Sequence, residues 1–219
     1  MKDTKSYLSK IVQDMPDSGI KDFFDVANTM EGALSLGVGE PDFPTPEHVR
    51  EAAIASIKKG DTKYTDNRGT VELRAAAADY LTKFDLHYDK QDEILITMGA
   101  SEGIDLALRT LVNPGEEVLV AEPSYVSYIP CIDLCGGVPV SLKLRAENKF
   151  RLTREQLEEK ITEKSKVLLI SYPNNPTGAI MEKEDLEAIA EVVKEHDLFV
   201  ITDEIYAELT YGKKHVSIA

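Results

Sequence analysis

With 219 residues, 42% of them hydrophobic and 29% charged, the chain is long enough to bury one large core and ordinary in composition for a globular protein. A formal net charge of −14, spread along the chain rather than gathered in a tail, excludes nucleic-acid binding, which needs clustered Lys and Arg. The longest apolar runs, at 167–172 and 198–202, are strand-sized and far short of a membrane span.

The first fifteen residues are charged and lack the apolar stretch and small-residue cleavage site of a secretion signal. Cys131 and Cys135 lie four apart on a predicted helix and read as free, partly buried thiols; the four histidines are scattered without metal-ligand spacing. A reducing, cytoplasmic setting and no metal are the expectation.

Residues 1–44 do not follow a regular rhythm and read as an N-terminal arm and part of a small domain; 45–219 read as the main domain. Thr45-Pro46-Glu47 predicts a helix opened by Thr45 as N-cap and closed by Gly60, and a second helix follows Gly69 through Glu72, Leu73, Ala76 and Tyr80. Strands are predicted at 93–97, 117–121, 138–142, 166–171 and 198–202, with helices between them at 101–112, 124–135, 153–163 and 182–195. The segment from Thr153 to Gln156 carries a capping-box pattern. This alternation predicts an α/β fold, a three-layer sandwich around a mainly parallel sheet. Ligands of such sheets sit beyond the carboxyl ends of the strands, so the motifs of interest should follow strands.

They do. After 93–97 comes Met98-Gly99-Ala100-Ser101-Glu102-Gly103, a glycine turn into a helix start whose free N–H groups suit a phosphate; Ser101 serving only as a helix cap is an equal alternative. The turn contains neither a GxGxxG nor a P-loop, so a nicotinamide-dependent reading gains nothing from it. After 166–171, the segment 172–178 packs two prolines, two asparagines and a glycine into one constrained turn. After 198–202 stands Asp203, a carboxylate at the end of a buried strand, where either a cationic partner or a capping role would satisfy it. Tyr206 lies on the same side of that turn. Upstream, 35–43 form a glycine-bearing bend that lets backbone N–H groups approach a carboxylate, and Tyr64 sits on a loop where simple ring packing is the plainer role.

Taken in order, GVGEPDF (37–43), KYTDNRGTVELR (63–74), TMGASEGID (97–105), PSYVSY (123–128), YPNNPTG (172–178) and TDEIY (202–206) resemble the class I and II aminotransferases, the aspartate-aminotransferase-like branch of the fold-type-I pyridoxal-phosphate enzymes. The resemblance implies pyridoxal 5'-phosphate as cofactor, amino acid and 2-oxo acid as substrates, and a homodimer. It implies that Ala100 and Ser101 hold the cofactor phosphate, Tyr125 stacks on the ring, and Asn175 and Tyr206 bond its phenolic oxygen. Asp203 would pair with the ring nitrogen, Gly39 and Asn175 would meet the substrate carboxylate, and Tyr64 would reach the phosphate in the partner subunit. The sequence ends before any segment resembling the family's Schiff-base lysine, so a truncated, inactive and incomplete large domain is expected. A carbon–sulfur β-lyase of the same fold shares every motif quoted. A non-catalytic binding domain of this fold ranks below both, and a Rossmann dehydrogenase last.

Overall fold

A computed structural model describes residues 4–16, 29–30, 32, 39 and 43–219. Two compact units divide the chain, one made of Met1–Met15 with Val71–Ala219 and the other of Pro16–Thr70. Helix α1 (Lys10–Asp14) belongs to the first, and α2 (Glu47–Lys59) to the second. The bend at 35–43 lies outside the described residues apart from Gly39 and Phe43.

The expected N-cap of α2 needs correction. Pro46, not Thr45, occupies that position, with φ −50° and ψ 142°, and no side chain caps the helix. A residue before proline is pushed toward extended backbone, which moves Thr45 out of reach of the first turn. Gly60 closes α2 as predicted, with φ 84°. Helix α3 (Val71–Leu81) follows Gly69 as expected.

The larger unit continues with α4 (Ala100–Leu111), β1 (Glu117–Glu122), α5 (Tyr128–Leu134), β2 (Val138–Lys143), α6 (Arg154–Glu158), β3 (Ser165–Ser171), α7 (Lys183–Glu195) and β4 (Phe199–Asp203). The four strands are parallel, in the order β2-β1-β3-β4. Side chains alternate across a strand, so each face of β1 and β3 builds its own core. Leu119, Leu168 and Ile170 pack with Leu186, Ile189 and Val192 of α7 on one face. Val118, Val120, Val167 and Leu169 pack with Ile104 and Leu108 of α4 and Ile132 of α5 on the other. The result is the three-layer arrangement expected of the alternating pattern.

Three expectations shift. The run 93–97 is not a strand; Ile94 and Ile96 are half-buried while Leu95 is 53% exposed, but among the described residues no neighbour completes a ladder. Helix α5 starts four residues late because Pro130 is tolerated only in a first turn, where no N–H is missed and no preceding carbonyl is struck. Helix α6 stops at Glu158, and beyond it Ser and Thr side chains take over backbone groups: Ser165 Oγ accepts the Thr162 N–H at 2.9 Å, and Thr162 Oγ1 accepts the Lys164 N–H at 3.1 Å. The Thr153–Gln156 capping box forms in full.

Candidate functional site

A cavity of about 300 Å³ opens beyond the carboxyl ends of β3 and β4. The start of α4 forms one wall, with Gly99, Ala100 and Ser101 lining it. Gly99 is the N-cap, at φ 84° and ψ 168°, a region open in practice to glycine alone. No side chain caps this helix, so Ser101 is not the cap; the Met98 N–H is instead held by the Glu102 carboxylate. A helix start left uncapped presents backbone N–H groups and partial positive charge.

Asp203, the last residue of β4, lines the opposite side together with Tyr206. Its Oδ2 accepts the Tyr128 hydroxyl at 2.7 Å and its Oδ1 accepts the Ile205 N–H at 3.1 Å. A carboxylate offers about four acceptor positions, so two donors leave it capacity toward the cavity. Tyr128 is 1% exposed, and its hydroxyl pKa is pushed well above the ordinary phenol value, first by burial and then by the carboxylate beside it. It therefore stays a donor.

Tyr125 stands in the loop before α5, 39% exposed, with its ring edge-on to Tyr128 at a centroid distance of 5.8 Å. Asn175 lines the cavity from the 172–178 turn. Its neighbour Asn174 shapes that turn: Oδ1 accepts the Thr177 N–H at 3.2 Å and Oγ1 at 2.8 Å, while Nδ2 donates to the Pro123 carbonyl at 3.2 Å. Two strand-end loops are thereby tied together.

Six of the residues singled out in the sequence thus line one cavity: Ala100, Ser101, Tyr125, Asn175, Asp203 and Tyr206. Gly39 and Tyr64 fall in the other unit, where both are exposed. Sequence reasoning missed Tyr128, Asn174 and Ser171, the last of which also lines the cavity. Tyr128 had a usable signal: it stands three residues after Tyr125 at a helix start and faces the same side. None of the lining residues is Lys, Arg or His; Lys213 and Lys214 are exposed, and Lys213 pairs with Glu182. Lys213 and Arg151 hold the Glu182 carboxyl below its usual range.

A parallel α/β sheet thus carries a helix start, tyrosine rings and a strand-end acid around one cleft. The chain belongs to the aminotransferase class I and II family, which it matches over residues 31–219. It is 50% identical to the YugH protein of Bacillus subtilis over 215 residues, covering 98% of this chain and 56% of that protein. It is 44% identical to aromatic-amino-acid aminotransferase 2 of Thermococcus litoralis over 214 residues, covering 97% and 55%. The solved structure of Thermus thermophilus aspartate aminotransferase with maleate matches at a TM-score of 0.90 and 36% identity, over 96% of this chain and 56% of that one. The chain spans just over half the length of these relatives.

Proposed function

We propose that the cavity holds pyridoxal 5'-phosphate and that the chain is part of an enzyme transferring amino groups between amino acids and 2-oxo acids. One observation carries the reading: an uncapped helix start, an aromatic ring, an amide and a strand-end carboxylate line a single cavity. This lining fits a flat, phosphorylated heterocycle with a protonatable nitrogen. When bound, the cofactor supplies a sink for the electron pair left as the amino acid's α-proton departs.

Asp203 takes the ring nitrogen and favours its protonated form by charge pairing in a half-buried setting. Tyr128 and the Ile205 N–H hold the two carboxylate oxygens in place. Ala100 and Ser101 receive the phosphate at the start of α4, where the helix dipole offsets part of its charge. Tyr125 covers a face of the ring, and Asn175 and Tyr206 bond its phenolic oxygen. Gly39 would offer its N–H to the substrate carboxylate, and Tyr64 would reach the phosphate in a partner subunit of a homodimer. Among the described residues no lysine lines the cavity.

The test is a pair of substitutions in the protein that carries this chain. Asp203→Ala lowers the rate of amino-group transfer to 2-oxoglutarate about 100-fold or more, as loss of a preorganised charge does. Tyr206→Phe, which removes one hydrogen bond, lowers it about tenfold or less. Equal losses overturn the assignment of Asp203, and release of ammonia and pyruvate in place of transfer would make the enzyme a lyase.

A further inference from the structure

Asp203 and Glu204 are adjacent acids that part company at the end of β4. Asp203 lines the cavity; Glu204 does not. Glu204 is drawn instead to the chain's last residues. Its Oε1 accepts Thr202 Oγ1 at 2.9 Å and Ser217 Oγ at 2.8 Å, and its Oε2 meets His215 Nε2 at 2.9 Å. The His215 side chain is 6% exposed and that of Glu204 19%. A carboxylate only accepts, so His215 carries a proton on Nε2. The other side of the imidazole rests edge-on against Phe84 at 5.4 Å, and Phe84 rests against Tyr80 at 5.6 Å.

We infer that Glu204 and His215 form a clamp that aims the strand end carrying Asp203, with His215 a positioning residue acting through Glu204. A poorly hydrated carboxylate is costly unless donors surround it, and removing one partner is felt more than the pair is worth. Without His215, Glu204 Oε2 loses its donor and is drawn toward water, while Thr202 and Ser217 still hold Oε1. Glu204 is joined directly to Asp203 on one side and to Ile205 on the other; the Ile205 N–H holds Asp203 Oδ1, and Tyr206 follows. The clamp therefore bears on three cavity residues at once, although neither of its members touches the cavity. Its significance for cofactor binding rests on the function proposed above; its structural half does not.

The experiment compares the protein that carries this chain with its His215→Leu, His215→Gln and Glu204→Gln variants. Glutamine at 215 keeps an N–H donor at nearly the reach of Nε2. Two readouts run together: hydrogen exchange at the Ile205 amide against that of Ile189 in the core, and affinity for pyridoxal 5'-phosphate. Exchange at Ile205 rises about tenfold or more in His215→Leu and Glu204→Gln, stays near wild type in His215→Gln, and Ile189 does not change. Cofactor affinity falls in the same order. Unchanged Ile205 exchange in both Glu204→Gln and His215→Leu overturns the clamp. So does a matching rise at Ile189, which would make His215 a general stabilising residue. If Ile205 responds while wild type binds no cofactor, the clamp stands and the cofactor assignment falls.

Discussion

At the level of single residues, the pairing of Tyr128 with Asp203 is the contact on which the site turns. A phenol inside the fold with a carboxylate 2.7 Å away resists ionisation, because the anion would be both desolvated and repelled. The folded-state pKa is raised above the ordinary 10.0, so the stability gained is complete below that value and is lost as pH rises through the folded pKa. Tyr128→Phe should therefore leave the ultraviolet titration of the folded protein near pH 10 unchanged; loss of one tyrosine's amplitude there would contradict the contact. At neutral pH the same substitution should cost about 1–3 kcal/mol in urea unfolding, as for a hydrogen bond to a charged group. Asp203, Asn175 and Tyr206 were legible in the sequence because each sits in a compact motif at a strand end. Tyr128 was not, because its partner lies 75 residues away and no local pattern marks a contact of that span.

At the level of elements, the glycine turn before α4 shows where local chemistry decides and where it misleads. The sequence left open whether Ser101 caps the helix. The structure gives the N-cap to Gly99, without a side-chain bond. Two substitutions separate these accounts. Gly99→Ala has open space around it, so its cost is purely the backbone's: about 1–3 kcal/mol for a non-glycine residue at φ 84°. Ser101→Ala removes no cap and should change urea stability by no more than about 0.5 kcal/mol, whereas a true cap would cost about 1 kcal/mol. Thr153→Ala supplies the contrast, since Thr153 does cap α6 and accepts the Gln156 N–H at 3.3 Å; a loss of about 1 kcal/mol is expected. The four strands of the sheet were readable to within a residue or two because buried parallel strands are short, mainly apolar runs. Helix ends were less so: Pro130 could have shortened the predicted α5, but the side-chain competition that ends α6 depends on how Thr162 and Ser165 meet in space.

At the level of the whole molecule, the two edges of the sheet are unlike. β2 carries Pro139, which cannot donate to a ladder, and ends in Lys143, both devices that discourage a further strand. β4 reads Phe-Val-Ile-Thr-Asp, strongly strand-forming, without Pro or Lys, and Phe199 is 55% exposed. Among the described residues nothing pairs with its outer side, and 93–97, which has strand composition, also has no ladder partner. This is why the pattern at 93–97 misled: composition favours a strand, but only a neighbour makes one. An unguarded edge recruits strands from other copies. The isolated 219-residue chain should therefore self-associate, its weight-average sedimentation coefficient rising with concentration. Phe199→Lys places a charge at the start of that edge, 55% open to solvent in the wild type, so the lysine itself needs no buried partner. It should flatten the concentration dependence while leaving the circular dichroism unchanged. Association that persists undiminished in the lysine variant would mean that some surface other than the β4 edge drives it, and the asymmetry between the two edges would then have no bearing on assembly.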